Sequence, residues 1–399
     1  MRTLVIGGSL GGLAAAHEMR FAGADVTVYE RSVDRTQPRG AGIVMQPEVA
    51  DLLGRLGRSV SSVSVALSER QHLHRRGEPE RYSAPQWMTA WDTLYHALRE
   101  PIACMRMDST LTGLSRDAGG VTATFGDGPA AVGDFVVGAD GIGSATRRLL
   151  TGRDELRYPG YVAFRGLEPE ADVPEHLVGL LAERFTMFAV PGLQMLCYLV
   201  PGAAGERAAG QRRVNWVWYV NTAQARLDQL LTGRGGQRFD QFLPPGELTD
   251  RSQSALLELA ECELPRPFVE LLEASRVFLQ PVFDLPPTRM VTDHVALIGD
   301  AAGTVRPHTA SGTSKAFGDA AGLAAALADW RPGRALPLAA LHSWQRARLA
   351  ALRAIADAGV RLASRSGLGA TGPQYLRPDA ATGPLPVPDD PTRAVRDAC

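Results

Sequence analysis

The sequence predicts an α/β protein: a parallel-sheet nucleotide-binding domain, an inserted and mostly antiparallel β-sheet domain, and a C-terminal helix. Three observations carry that expectation. Residues 2–30 read as strand, glycine cluster, helix, and a second strand ending in an acid. Over residues 158–222 aromatic and β-branched runs take over. After Pro281 the α/β character returns, with a strand at 294–300 and a small-residue helix over 313–329.

The chain has 399 residues, is 45% hydrophobic and 21% charged, and carries a formal net charge of -1. At roughly 150 residues per domain that is two to three units. The nucleotide domain is expected over 1–66, 88–155 and 278–335, and the sheet domain over 67–87 and 156–277. A helix over 336–366 and a Gly/Pro/Ala-rich tail over 367–399, poorly ordered or wrapped on the surface, complete the chain. Near-zero charge argues against nucleic acid or an acidic membrane as partner. No apolar stretch reaches the ~18–20 residues of a membrane span. Arg2 before a small-residue apolar run imitates a signal peptide, but the glycines that interrupt the run belong to the fold pattern. Cys104, Cys197, Cys262 and Cys399 form no C-x-x-C pattern, so no zinc or redox pair is expected. They read as buried or free thiols of a reducing, cytoplasmic compartment.

Of the 42 basic residues only Lys315 is lysine. It sits in Ser311-Gly312-Thr313-Ser314-Lys315, so a Walker A loop is absent, and Schiff-base chemistry has a single candidate.

Residues 2–6 are a buried parallel strand, followed by Gly7-Gly8-Ser9-Leu10-Gly11-Gly12, a helix over 13–21, and a strand over 24–30 closed by Glu30. The dinucleotide fingerprint G-x-G-x-x-G is present as Gly7-x-Ser9-x-x-Gly12, with serine at the middle position. The helix N-terminus suits a pyrophosphate and the acid a ribose hydroxyl pair. An amphipathic helix follows Pro47, short strands and turns fill 59–86, and a helix covers 92–99. Strands are expected at 121–125 and 132–137, the second running into Asp140-Gly141-Ile142-Gly143-Ser144-Ala145-Thr146-Arg147. Helices are expected over 224–232, 252–274 and 337–364. The strand ending in Gly299-Asp300 leads into Pro307 and Gly312.

With the glycine loop, the D-G motif and the G-D motif in this order, residues 1–350 resemble the single-component FAD-dependent aromatic hydroxylases, the class of p-hydroxybenzoate and salicylate hydroxylases, whose nucleotide domain is Rossmann-like. Residues 42–48, Gly160-Tyr161-Val162-Ala163-Phe164-Arg165-Gly166 and Arg306-Pro307-His308-Thr309-Ala310-Ser311-Gly312 resemble the dihydroxypyridine hydroxylase group within it. The resemblance implies FAD, NADH or NADPH as transient reductant, O2, and a phenolic or hydroxypyridine-like substrate attacked by a flavin C4a-hydroperoxide. It places Ser9, Leu10 and Gly12 at the pyrophosphate, Glu30 with Arg31 at the adenosine ribose, Gln46 near the cofactor, and the Leu111 backbone at adenine. Asp140 supports the pyrophosphate region, Asp300 the ribityl chain, and Gly312, Thr313 and Ser314 the flavin pyrimidine edge, where a helix N-terminus favours negative charge. The chain departs from the class at Trp91, where arginine is usual, at Gly303, where histidine is usual, and at Ser314, where asparagine is usual.

His308, with a pKa expected near neutral, either orients or deprotonates a substrate hydroxyl or is a loop histidine. Pro307 shapes that loop, and Arg306 is the more structural of the pair. Arg165 either binds an anionic substrate group or forms an ion pair. Phe185, Met187, Tyr198, Trp216 and Trp218 lie on strands, and one face of their sheet is expected to line the substrate pocket. Lys315 is either a cation near the flavin or a solvent-facing side chain. A homodimer is the assembly considered. Three competing readings are a flavin-dependent halogenase, a flavin-binding module that does not oxidise its ligand, and an NAD-dependent dehydrogenase. The first lacks a lysine in the N-terminal half, and the last leaves the D-G and G-D motifs unexplained.

Overall fold

A computed structural model of the chain describes residues 1–32, 42–117, 120–126, 128–152, 155–181, 184–287 and 289–376. The chain divides into two compact units. The first comprises Met1–Ser64, Thr89–Arg157 and Phe283–Leu362; the second comprises Val65–Met88, Tyr158–Val282 and the described residues from 363 to 376.

The first unit is built on a sheet with strand order Val291–Thr292, Val295–Leu297, Phe135–Gly138, Arg2–Ile6, Asp25–Tyr29, Met105–Arg106. All neighbours are parallel except the first pair. At its centre Phe135–Gly138 and residues Leu4–Ile6 are apolar and buried, as a sheet covered on both faces requires. Leu13, Met19, Leu94, Leu98, Phe317 and Leu323, from three helices, pack in one apolar cluster with Val5, Val28 and Val137 of the sheet. A three-stranded meander, Leu111–Asp117, Gly120–Phe125 and Gly128–Gly133, stands beside it. The strand expected over 132–137 is therefore two strands. They part at Asp134, whose carboxylate accepts the Arg2 N–H at 2.6 Å.

The C-terminal helix, Leu338–Arg365, is not a unit of its own: most of it belongs to the first unit. Its Trp344 indole donates to the Asp319 carbonyl at 3.1 Å.

In the second unit the strands run Phe278–Pro281, Tyr161–Pro169, Arg213–Asn221, Leu193–Val200, Arg184–Val190, Val65–His72, Glu80–Ala90. The pairing is antiparallel except between Arg184–Val190 and Val65–His72. The helix Glu175–Leu181 was not expected, and the stretch 252–274 is two helices, Asp250–Glu263 and Arg266–Glu273, separated at Pro265.

Of the two forms expected for the tail, its first ten residues take the one wrapped against the protein. Residues 367–376 are docked on the sheet. Asn221, fully buried, donates from Nδ2 to the carbonyls of Gly367 and Pro373, both at 2.8 Å, and accepts the Gly369 N–H at 2.7 Å. Tyr375 donates its hydroxyl to the Pro191 carbonyl at 2.8 Å. Gly160 is glycine because a Cβ there would lie 2.5 Å from the Ala370 nitrogen, at φ +97°. Leu368 also joins the apolar cluster of Tyr161, Ala163, Val217 and Tyr219, so hydrogen bonds and apolar packing together fix this part of the tail. Residues 377–399 lie outside the described residues.

Candidate active site

Four adjacent parallel strands of the first unit end at one edge of the sheet, and each end carries one of the sequence motifs. The glycine loop follows Arg2–Ile6, Glu30 follows Asp25–Tyr29, the D-G motif follows Phe135–Gly138, and the G-D motif follows Val295–Leu297. The carboxyl edge of a parallel sheet is where ligands bind in such folds. The strand ends are laced together: Gly7 N–H to the Tyr29 carbonyl at 2.8 Å, Ala139 N–H to Ile6 at 2.7 Å, Ile298 N–H to Gly138 at 2.9 Å.

The glycines there are obligatory. Gly7 has φ +101°, and a Cβ on it would lie 2.5 Å from the Ala139 oxygen. A Cβ on Gly12 would lie 1.8 Å from the Gly7 oxygen. Ser9 is tolerated because it sits in extended backbone as the N-cap of the helix Leu10–Phe21, whose first turn has no acid and no side-chain cap. Leu10 is buried in the core, so only its backbone faces a ligand. Glu30, buried, accepts the Gly8 N–H at 2.6 Å and the Ser32 N–H at 2.7 Å. Arg31 beside it is exposed. Gln46 caps the helix Pro47–Arg55 without a side-chain hydrogen bond. Leu111 packs its side chain with Leu4, Ile6 and Val136, leaving only its backbone available.

The D-G motif caps its own helix. Asp140 accepts Ser144 Oγ at 2.5 Å, Thr146 N–H at 2.9 Å and Thr146 Oγ1 at 3.0 Å, while Ser144 Oγ accepts the Arg147 N–H at 2.9 Å. Arg147, fully buried, donates to the carbonyls of Ile142 at 2.7 Å and Ala301 at 3.3 Å. It thus ties the D-G turn to the G-D turn. That role was not assigned from the sequence, although the spacing D-G-x-x-S-x-x-R contained it.

Asp300 is solvent-accessible yet closely surrounded by protein. Desolvation holds its carboxyl above the usual range; Lys315 pulls it down, Asp319 pushes it up and Arg147 pulls it down. Lys315 is not the solvent-facing side chain that was one of the two expectations for it. Its side chain is 0% exposed and its ammonium donates to the carbonyls of Gly299 and, at 2.9 Å, Gly303. Asp319, also enclosed, lies 3.5 Å from it and is bound by Arg348 at 2.7 Å. Neither Asp319 nor Arg348 was singled out in the sequence, since nothing local marks a pairing across 29 residues. The Gly303 departure has a steric reason: a Cβ there would lie 2.8 Å from Leu352. Trp91 stacks on Tyr95 with ring centroids 4.9 Å apart.

The loop before the helix Gly312–Leu327 holds Pro307 and His308 in a 3-10 turn, Pro307–Thr309, closed by Ala310 at φ +53°. That left-handed alanine costs roughly 1–2 kcal/mol. Arg306 is structural, forming a two-pronged pair with Asp284 at 3.0 and 2.6 Å. His308 is pushed down to about 4, by desolvation first and by Arg306 second. The expected near-neutral imidazole is therefore corrected: it is neutral at neutral pH. The helix itself begins without a side-chain cap or an acid in its first turn. Thr313 is half-buried, and the buried Ser314 turns its hydroxyl back to the Ser311 carbonyl at 3.2 Å.

In the second unit, strand parity sorts the expected pocket residues. Phe185, Met187, Tyr198, Val217, Tyr219 and Arg165 fall on one face, by the registers Met187 to Leu196, Tyr198 to Asn215 and Arg165 to Val217. Trp216 and Trp218 fall on the other and do not join them. Trp216 fits against Gly166 and donates to Ser275 Oγ at 2.8 Å, while Trp218 lies near Phe164. On the first face Phe185 stacks on Tyr198 at 5.1 Å, and Arg70 lies over Phe185 at 5.2 Å. Arg165 is 9% exposed and has neither an acid nor a hydrogen-bond partner among the described residues. Its charge acts on Tyr198 and Tyr219, whose phenols are nonetheless pushed up by burial.

Cys104 and Cys197 are free, and Cys262 is not counted with them, so the four-thiol expectation is not met in full. No helix among the described residues is long and apolar enough to cross a membrane, and no group of three or more metal-ligating side chains occurs among them.

These features fit FAD: a glycine-only turn, two uncapped helix N-termini free of acid, and an accessible aspartate that makes no hydrogen bond to the described residues. Residues 1–157 match a family described as FAD binding domain, and residues 158–284 one described as FAD binding domain-like. The chain is 35% identical over 370 residues to 2,6-dihydroxypyridine 3-monooxygenase from Paenarthrobacter nicotinovorans, covering 91% of each chain. It is 26% identical to 6-hydroxynicotinate 3-monooxygenase from Bordetella bronchiseptica, covering 80% of this chain and 81% of the relative. The solved structure of 2,6-dihydroxypyridine-3-hydroxylase from Arthrobacter nicotinovorans superposes with a TM-score of 0.84 at 32% identity, covering 95% of this chain and 99% of that one. With sequence identity spread over nine-tenths of its length and the motif turns side by side on one sheet edge, the chain belongs to the FAD-dependent aromatic hydroxylases.

Proposed function

We propose that this FAD-dependent monooxygenase hydroxylates a hydroxylated N-heteroaromatic ring, of the hydroxypyridine kind, bound as its anion on Arg165. The balance is one ring C–H, O2, NAD(P)H and a proton giving one ring C–OH, NAD(P)+ and water. The observation that carries the reading is Arg165, buried with no acid among the described residues, its charge acting on Tyr198 and Tyr219. Burying an unpaired charge is costly, and an anionic ligand removes that cost. Relatives named for 2,6-dihydroxypyridine and 6-hydroxynicotinate support the substrate class.

When bound, FAD supplies the redox chemistry: it takes a hydride from NAD(P)H and activates O2 for transfer of one oxygen atom. Ser9, Leu10 and Gly12 offer backbone N–H groups to the pyrophosphate, with Asp140 fixing the neighbouring turn. Glu30 and Arg31 hold the adenosine end, and Asp300 accepts a ribityl hydroxyl. Gln46 and the Leu111 backbone add contacts, and Gly312, Thr313 and Ser314 present the uncapped helix start to the flavin.

On the sheet, Tyr198 and Tyr219 stay protonated, so they donate hydrogen bonds and do not act as bases. His308 is neutral and weakly basic. It accepts a hydrogen bond from a substrate hydroxyl, which orients the ring, while Pro307 fixes its loop. Arg165 lowers the cost of losing the hydroxyl proton to water and leaves the ring electron-rich. Phe185 and Met187 supply the apolar wall.

The reductant NAD(P)H favours a cytoplasmic enzyme, and a homodimer is part of the reading, tested by sedimentation. The decisive experiment screens hydroxypyridines and phenols for stimulated NAD(P)H oxidation, O2 uptake and matching hydroxylated product. If no compound accelerates flavin reduction, the reading fails.

A further inference from the structure

Lys315 is the sole lysine, it is wholly enclosed, and nothing in the hydroxylation chemistry uses it. Asp319 does not need it as a counter-ion, because Arg348 already binds that carboxylate at 2.7 Å. The closest contacts of the ammonium are carbonyls: those of Gly299 and, at 2.9 Å, Gly303. These two residues bracket Asp300. Asp319 completes the clamp by accepting the Gly299 N–H at 3.0 Å, so both polar groups of that glycine are pinned from one helix. Gly299 itself is held at φ +57°, and a Cβ on it would lie 3.2 Å from Ala316. The turn bearing Asp300 thus has little freedom that Lys315 does not restrict. The charges facing the turn are Lys315 and Asp319 from one helix, Arg348 from the C-terminal helix and Arg147 from the D-G helix.

We propose that Lys315 is a positioning residue for the cofactor site: by fastening the carbonyls of Gly299 and Gly303 it holds the Asp300 carboxyl group in place, ready to accept a hydroxyl of the FAD ribityl chain. The proposal rests on the reading of Asp300 as a ribityl ligand, and the experiment separates the two. Asp300 is already raised by its surroundings, and Lys315 is the largest influence opposing that rise. Removing the ammonium therefore lets Asp300 take up a proton at higher pH and lose its role as acceptor.

The test titrates FAD-stripped enzyme with FAD, following flavin fluorescence, at a series of pH values rising from the ordinary carboxylate range to the mildly alkaline. Lys315→Met should weaken FAD binding about tenfold more at the acid end than at the alkaline end, one unit of displacement being a tenfold effect. Lys315→Arg should restore most of the loss, and in an Asp300→Asn background the pH-dependent part should vanish. A loss by the same factor at every pH overturns the proposal, because a merely structural prop behaves that way. If Asp300→Asn binds FAD as the parent does at every pH, the ribityl reading falls and this one with it. Should Lys315→Met not fold, lysine labelled with 15N at Nζ gives one side-chain resonance in the parent enzyme. That resonance should move between parent and Asp300→Asn; an unmoved resonance overturns the proposal.

Discussion

In the nucleotide-binding unit Lys315 is enclosed with two carbonyls and Asp319, and Arg147 is enclosed with the carbonyls of Ile142 and Ala301. In the sheet unit Arg165 is also buried, at 9% exposed, and meets no such partner among the described residues. The two units bury cations for different ends. The first spends its charges on itself, so that turns meant for a constant cofactor are rigid before it arrives. The second leaves one charge to be satisfied from outside, which suits a substrate that comes and goes.

Five substitutions probe that contrast. Gly12→Ala strikes the self-contained unit hardest, since the new Cβ would lie 1.8 Å from the Gly7 oxygen. FAD loading should be lost, read as the flavin-to-protein absorbance ratio after purification, whereas Ser9→Gly should load normally. Loading of both alike would show that the turn is not the rigid element described.

Asn221→Ala is the counterpart in the sheet unit. It removes three hydrogen bonds to residues 367–373. At about 1 kcal/mol each, the loss is about 3 kcal/mol. Hydrogen exchange should rise in the strands of the sheet unit and stay unchanged around residues 2–6.

Arg165→Met should weaken an anionic ring on the order of 30-fold to 100-fold, in line with roughly 2–3 kcal/mol for losing one side of a buried charge pair. FAD affinity should be unaffected, and a neutral, fully methylated analogue should bind equally well to both proteins. Equal weakening of charged and neutral rings would mean that Arg165 shapes the sheet rather than binds charge.

The smallest effect concerns His308. Its imidazole is lowered from 6.5 to about 4, so the unfolded chain binds a proton in that interval and the folded chain does not. The contribution is full above about pH 6.5 and is lost as pH falls toward about 4. His308→Gln should flatten this part of the stability profile, measured as urea midpoints at several pH values between those limits.

What was legible follows from where the information lies. The glycine loop, Glu30, Asp140 and Asp300 could be placed from sequence because strand ends and glycine-only turns leave local traces. The clamp on Gly299 could not, because Lys315, Asp319 and Arg348 meet through helix packing. For the pocket, alternation shows that Trp216 and Trp218 part from Val217 and Tyr219, yet only the packing of the sheet says which face keeps its tryptophans as core. Which residue anchors 367–376 was not legible, because Asn221 binds backbone, which composition does not record.

Neither unit is a continuous piece of chain. The strand Phe135–Gly138 pairs with Arg2–Ile6 on one side but gains Val295–Leu297 on the other only after the intervening sheet domain has been made, and the sheet unit gains its hydrogen bonds to residues 367–376 later still. Contacts so far apart in sequence slow folding and leave apolar strands uncovered meanwhile. On the ribosome, then, this protein cannot finish one unit and proceed to the next. Each closes only when its distant segments have emerged, and the nascent strands need protection until then.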